Sequence, residues 1–525
     1  MSGSSHRSYD VAIVGGGHNG LAAAAYLARA GLRVLLLERL SSFGGAAVSK
    51  EAFPGTGVKL SRYSYLVSLL PESIAHDLDL DVELRSRRTA SYTPTMRGGE
   101  ASGLLVEHDE GDATAASFRS LTGSDEEYDA WRAFYSDVAD LAGVVAPTLT
   151  QPLPTERRLR DAVAAPIWDE IVHRPLGEAI EARFGDDIVR GVVATDALIG
   201  TFADLDDPSL IQNRCFLYHL IGNGTGEWRV PVGGMGAVTK AMRKAAKRAG
   251  AELLTDAGVS AIRPGADGAE VTWHDGSKEH TVTARRVLSN VAPWVLRILL
   301  GEESQADPKP EGAQLKLNLL LRELPRLKSG HDPAEAFAGT LHVAQGYGEL
   351  RTAYDEAAAG RIPTRPPGEF YCHSLTDDSI LGPLAGTGAQ TLTYFGLHMP
   401  ARLFDHDLEQ RKDEAVRAAI AAIDEHLERP LMDYVMRSPD GKPCLEAKVP
   451  QEIEAELAMP GGHIFHGDLA WPWASNRELL DTPAQRWGVA TEHESVLLCG
   501  SGARRGGAVS ALGGHNAAQA VLEHR

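Results

Sequence analysis

Residues 9–45 read YDVAIVGGGHNGLAAAAYLARAGLRVLLLERLSSFGG, and this stretch decides the fold. Residues 11–14 are a short apolar run rich in β-branched side chains, the mark of a strand buried on both faces. Gly15, Gly17 and Gly20 follow at the spacing G-x-G-x-x-G. An alanine-rich helix over 21–29 comes next, Gly31 closes it, and 32–38 make a second strand. Chemistry explains the spacing. The first glycine allows a tight turn, the second lets the backbone approach a pyrophosphate, and the third packs helix against strand. Free N–H groups and the dipole at the helix start attract phosphate charge. Glu38 ends the second strand, where a carboxylate accepts hydrogen bonds from a ribose 2′-OH and repels a 2′-phosphate. The stretch predicts a dinucleotide site for FAD or NAD rather than NADP.

A chain of 525 residues exceeds one compact core, so two or three domains are expected. The formal charge of −19 disfavours nucleic acid and broad attraction to anionic lipid. No apolar run approaches the roughly 18–20 residues a spanning helix needs. The polar N-terminus, MSGSSHRSYD, lacks a signal-peptide core, which makes a cytoplasmic location the expectation and leaves room for peripheral membrane contact. Cys215, Cys372, Cys444 and Cys499 lie far apart without a C-x-x-C pair and read as buried small residues.

Further along, Gly44-Gly45-Ala46 follows Glu38 closely, where a plain NAD domain would enter its next crossover helix. Two adjacent glycines there let the chain pass under a pyrophosphate or a flavin. Residues 59–70, KLSRYSYLVSLL, are expected to enter the cofactor cleft. Asp77, Asp79, Asp81 and Glu83 alternate like a calcium loop but lack its glycine and closing glutamate, so they read as a strand with one solvated face. Ser124 and Glu127 form a capping-box pattern ahead of an aromatic helical stripe, Tyr128, Trp131, Phe134, Tyr135, Val138 and Leu141. With helices expected near 175–190 and 207–221, this region reads as mostly helical.

Nucleotide-domain character returns at Gly233-Gly234-Met235-Gly236 with a basic amphipathic helix, 237–248. A strand over 252–262, a hairpin (270–273 and 279–282) and a strand over 286–291 follow. Residues 315–321 and 391–397 read as strands and 409–427 as an amphipathic helix. At the end, strand 495–499 runs into Gly500-Ser501-Gly502, then Gly506-Gly507 and a helix over 508–523. A second glycine-rich strand-to-helix junction suggests a second helix dipole aimed at the cofactor.

Together these elements resemble the FAD-dependent amine oxidase and phytoene desaturase superfamily. The likeness is closest to oxidoreductases of the pyridine nucleotide-disulfide oxidoreductase domain-containing protein 2 type. The matching pieces are VAIVGGGHNGLAAAAYLARAGLRVLLLER, FGGAAVS, LSRYSYLVSLL, VPVGGMGAVTKAM, VLSNVAP, GGHIFHGDLAW and LLCGSGARRGGAVSALGGHNAAQ, spanning residues 11–519. The resemblance implies an α/β fold: a discontinuous Rossmann-like FAD-binding domain (1–75, 226–300, 456–525), a mixed α+β substrate domain and a helical insertion (76–225, 301–455). It implies non-covalent FAD held by Gly15, Gly17, Gly20, Glu38, Arg39, Gly44, Gly45, Ala46, Val259, Gly500, Ser501 and Gly507. The superfamily often has Gly-Asp where this chain has Gly500-Ser501.

The name of the subgroup does not set the mechanism. A disulfide reductase needs two neighbouring cysteines and a second dinucleotide motif, and the sequence offers neither. The expected reaction is hydride transfer from a C–H bond of an apolar, isoprenoid- or lipid-like small molecule to flavin N5, with oxygen or a quinone as acceptor. Amine oxidation and a mainly binding role are the alternatives. Arg62, Tyr63 and Tyr65 are candidates for lining the reacting side, as are His466, Asp468, Trp471 and Trp473; Arg504 and Arg505 are candidates for cofactor phosphate. His463 and His466 stand three apart without an evident third ligand, so no metal is expected.

Overall fold

In the computed structural model, which describes residues 8–224, 226–302 and 308–524, the first strand (Ser8–Val14) lies between two parallel neighbours. These are Val34–Leu37 on one side and Glu279–Ser289 on the other. Val34–Leu37 pairs in turn with Glu252–Leu254. Glu279–Ser289 pairs antiparallel with Gly268–His274 through its first half and parallel with Val496–Leu498 through its end. Gly258–Gly265 closes that side of the seven-stranded sheet. The parallel strands finish together, so Gly15, Glu38, Asn290 and Cys499 emerge side by side at their carboxyl ends. That edge is where open α/β sheets bind ligands.

The alanines of the first helix, His18–Arg29, have a packing reason. Ala22 to Ala25 are fully buried because the helix is wedged between Met235–Arg248 and Leu512–Glu523. A Cβ on Gly514 would stand 2.0 Å from the Asn19 carbonyl oxygen, so only glycine lets these two helices touch.

A second seven-stranded sheet runs in the order Leu445–Lys448, Leu315–Leu321, Gln390–Gly396, Gly368–Tyr371, Thr340–Val343, Thr89–Arg97, Glu100–Glu107. Its pairings are antiparallel except for that between Thr340–Val343 and Thr89–Arg97. The helices Glu126–Val145, Asp187–Thr195 and Ile211–Ile221 are the ones that matter to the site.

Several elements depart from the sequence expectations. The 76–225 segment is not simply helical: two long strands leave it to complete the second sheet, one burying Thr89, Ser91, Thr93 and Thr95 and the other Leu104 to Glu107. The 252–262 strand breaks at Asp256, which adopts φ 53°. The hairpin arm 279–282 and the strand 286–291 are one continuous strand, Glu279–Ser289. The acidic stretch after residue 72 is a short helix, Glu72–Asp77, and a loop rather than a strand. The capping box does not form; the Glu127 carboxylate instead accepts the Gly185 amide at 2.7 Å. The last helix starts at Leu512, four residues late, because Ala508 and Ala511 take positive φ. All four cysteines are buried and outside disulfides. Among the described residues no helix is long and apolar enough to cross a membrane. The polar residues 1–7 lie outside the described residues.

Candidate active site

One cavity of about 620 Å³ runs from the glycine turn to the second sheet. Its first arm is lined by Gly15, Gly17, Glu38, Arg39, Gly45, Ala46 and Val259, with Ser501 further along. Here the two glycine segments meet backbone to backbone. The Gly44 amide donates to the Gly16 carbonyl at 2.9 Å, and a Cβ on Gly45 would lie 3.4 Å from the Gly17 Cα. Gly44 and Gly45 reach this contact with φ of 129° and 57°, a region side chains avoid. Glu38 is buried, with one carboxylate oxygen accepting the Gly16 amide at 2.7 Å and the other the Leu40 amide at 2.8 Å. Gly20, Gly500 and Gly507 work beneath the surface. A Cβ on Gly20 would meet the Gly15 carbonyl oxygen at 2.2 Å, one on Gly500 the Asn290 oxygen at 2.9 Å, and one on Gly507 the Tyr218 ring at 2.7 Å.

The second arm is a chamber between the second sheet and the helices. Its roof carries Tyr135, Val138, Ala142, Val192 and Ile199, so the aromatic stripe of Glu126–Val145 serves both core and cavity. Its floor is polar: Arg87, Lys316, His342, Glu369 and Tyr371. Lys316 is 2% exposed, and its Nζ has no hydrogen-bond partner but sits 4.0 Å from the centre of the Tyr65 ring. Burial holds its pKa well below the ordinary lysine value, which favours the free amine. Burial also pushes the Tyr65 phenol well up, helped by Glu369 nearby. Asp196 faces the chamber from the helix side, its carboxyl pushed up to about 8 by burial and then by Glu369.

Of the candidates for the reacting side, Tyr63, Tyr65 and His466 line this cavity. His466 holds φ 68° and an unpartnered Nδ1, and burial lowers its pKa to about 4, so its ring is neutral. Arg62 does not line it: its guanidinium grips the Glu446 carboxylate, with Nε at 2.9 and 3.1 Å. Asn318 donates to the same carboxylate. Arg62 ties the 59–70 segment to the second sheet. Asp468 pairs with His463, and Trp471 and Trp473 stack on each other and, through Trp473, on Trp168, away from the cavity lining. Arg504 is engaged with Glu478 and the Trp473 carbonyl. Arg505 donates to the carbonyls of Thr148, Gln151 and Trp487. Neither lines the cavity.

Residues 20–319 match the family model described as flavin containing amine oxidoreductase. The chain belongs to this family. An uncharacterized protein of Mycobacterium tuberculosis strain H37Rv is 51% identical over 98% of this chain and 97% of its own length. Pyridine nucleotide-disulfide oxidoreductase domain-containing protein 2 of Rattus norvegicus is 28% identical over 98% of this chain and 93% of its own length. Among solved structures, a putrescine oxidase variant superposes with a TM-score of 0.58 at 17% identity, covering 99% of each chain. The fold is that of these flavoenzymes, and the chain is an FAD-dependent oxidoreductase of the amine oxidoreductase family.

The residues of the first arm fit FAD. The cradle of bare glycine backbone is the right surface for a pyrophosphate. At the helix start, His18 lines the cavity and its Nε2 is buried without a partner among the described residues. Burial lowers the His18 pKa to about 4. Such orphaned atoms are rare in native proteins and point to a ligand.

Sequence reasoning overlooked Asn290, whose side-chain amide donates to the Gly15 carbonyl at 2.9 Å, and the chamber residues Arg87, Asp196, Lys316 and Glu369. A signal did exist for Lys316: it is the lone cation in the apolar strand LKLNLLL.

Proposed function

We propose that this enzyme oxidises a C–H bond of a small molecule held in the chamber, leaving a C=C bond, and passes the electrons to oxygen or a quinone. The observation that carries this reading is the single cavity joining the dinucleotide cradle to a chamber with an aliphatic roof. Bound FAD supplies two-electron acceptance by taking hydride from the substrate carbon. Backbone amides after Gly15 and Gly17 would hold the pyrophosphate, Glu38 and Arg39 would face the adenosine ribose, and the backbone of Val259 the adenine. Gly44, Gly45, Ala46 and Ser501 would border the rest of the cofactor, while Gly20, Gly500 and Gly507 keep its walls thin. In domain terms, 1–75, 226–300 and 456–525 would carry FAD, while 76–225 and 301–455 form the chamber.

The substrate must also lose a proton. Tyr65 is a poor acceptor because its phenol already keeps its proton tightly, and Arg62 is occupied. Lys316 is the better one: a free amine with no partner, held over Tyr65 and shielded from water. His466, neutral and with Nδ1 unpartnered among the described residues, lines the same cavity and stands as a second acceptor. The expected result is a yellow protein whose FAD bleaches anaerobically with substrate, while Lys316→Met retains FAD and slows bleaching about 100-fold or more, in the range of general-base losses. Protein that binds no FAD under any condition would falsify the whole reading; unchanged bleaching in Lys316→Met removes the lysine from it.

Amine oxidation is the second reading, favoured by the two carboxyl groups, Asp196 and Glu369, that face the chamber. It predicts peroxide formation with amines, and silence across a broad amine panel counts against it.

A further inference from the structure

Resting on that reading of the chamber, the structure assigns a substrate class to it. We propose that Arg87 anchors a carboxylate carried by the substrate, so that the enzyme takes a monocarboxylic acid with an apolar body rather than a plain hydrocarbon.

Arg87 lines the chamber floor and is 7% exposed. Within the protein its Nε donates to the Trp228 carbonyl at 3.2 Å, and its terminal nitrogens make no hydrogen bond among the described residues. No carboxylate of the described residues stands within ion-pair distance of it. A buried guanidinium in that condition is costly unless a partner completes it.

Glu369 and Glu227 act on Arg87 from beyond ion-pair distance, and the acids that line the same cavity are engaged: Glu107 with Arg88 at 3.1 Å and Glu110 with the Trp131 indole at 2.8 Å. Glu369 is 3% exposed, accepts the Tyr371 hydroxyl at 2.5 Å, and has His342 Nε2 at 3.6 Å. On the floor, Lys316 Nζ is unpartnered among the described residues. Asp196, across the chamber, has no side-chain hydrogen bond among the described residues, and burial keeps its proton on, which makes it a donor as well.

A carboxylate answers this arrangement. The planar fork of Arg87 pairs with two oxygens at once, which an ester or an alcohol matches only in part. An ammonium group would add a cation beside Arg87 and find Glu369 already accepting the Tyr371 hydroxyl. With the carboxylate on the floor, the apolar body lies under Val138, Ala142, Val192 and Ile199.

The test is calorimetric titration of the FAD-loaded enzyme with straight-chain carboxylates from acetate to decanoate, their methyl esters and the matching primary amines, in wild type and in Arg87→Gln. At least one carboxylate is expected to bind wild type about tenfold or more tightly than Arg87→Gln, a loss typical of removing one partner from a buried charged pair. The methyl esters should not distinguish the two proteins. Equal FAD content and melting temperature establish that Arg87→Gln is folded. Should it fail to fold, Arg87→Lys, which keeps the charge without the fork, takes its place, and the carboxylate-to-ester preference of wild type is decisive. If no carboxylate binds wild type more tightly than the variant, or amines bind in preference, the assignment is overturned. Because the heat of binding is read whether or not the flavin is reduced, failure of the oxidation reading leaves this result separately legible.

Discussion

The side-chain amide of Asn290 donates to the carbonyl of Gly15 at 2.9 Å, joining the glycine turn to a strand end 275 residues further along the chain. The Asn290 backbone amide donates to the Val14 carbonyl at 2.9 Å, and the same side chain lies 3.2 Å from where a Cβ on Gly17 would be. One residue therefore sets the shape of the turn from outside it. Asn290→Ala leaves the Gly15 oxygen without its donor, at a cost of about 1–2 kcal/mol. Weaker FAD retention by roughly tenfold is expected, measured as flavin fluorescence released on dilution. Asn290→Asp should be worse, since it sets a negative charge beside the pyrophosphate site. Retention equal to wild type in both variants would show that the turn holds its shape alone.

Two glycine-to-alanine changes should move stability in opposite directions. At Gly514 the new methyl would stand 2.0 Å from the Asn19 carbonyl and 3.1 Å from the Ala23 amide. The first and last helices would then have to part, and overpacking of this kind costs roughly 1–3 kcal/mol. Gly143 lies exposed inside Glu126–Val145, and a Cβ added there would meet nothing within 4 Å. Alanine there gains about 0.5–1 kcal/mol of helix propensity. Thermal melts of the FAD-loaded variants check both signs, and a neutral Gly514→Ala would show that the helix contact is soft.

The contrast between these two glycines shows what the sequence could convey. Local pattern made the nucleotide sheet legible, because a strand, a turn and a helix each advertise themselves within a few residues and meet in chain order. Gly514 shows no local reason to be glycine; its reason is a helix 495 positions earlier in the chain. The chamber was hidden for the same reason. Arg87 lies in the loop just ahead of Thr89–Arg97, Lys316 on Leu315–Leu321 and Glu369 on Gly368–Tyr371, and the pairing of Thr89–Arg97 with Thr340–Val343 brings the first beside the others. Lys316, the lone cation in the apolar strand LKLNLLL, is the one local sign of the chamber. Arg62 shows the opposite error: an arginine in an aromatic motif looks chemical, but its partner Glu446 lies 384 residues away and turns it into a strut.

That strut can be tested. The side chains of Arg62 and Glu446 are 23% and 14% exposed, and Asn318 completes the carboxylate's partners. Truncating one member leaves a largely buried charge, so Arg62→Ala and Glu446→Ala should each lower the melting temperature. The double variant should cost less than the sum of the two, because the orphaned charge is gone. Arg62→Lys should rescue little, since lysine lacks the fork. Normal bleaching rates per bound flavin in Arg62→Ala would agree with a structural role; a selective loss of rate at unchanged stability would restore Arg62 as a reacting group.

Asp196 makes a prediction about pH. Its folded pKa is raised to about 8 from an unfolded value near 4, by burial first and Glu369 second. Between those values the folded protein holds a proton that the unfolded chain has released. Stability from this group is therefore present at low pH and is lost as pH rises through about 8. The buried histidines pull the other way. His18, His219 and His466 are lowered to about 4, so the unfolded chain binds their protons first, and stability falls as pH drops from about 6.5 to 4. The stability of the wild-type protein should peak between these two flanks. Asp196→Asn keeps a neutral side chain of the same shape and removes only the alkaline flank. It should melt higher than wild type at pH 9, by a margin that shrinks steadily as pH falls and closes near pH 4. Identical melting curves for the two proteins at pH 9 would mean that the Asp196 carboxyl ionises freely in the folded state.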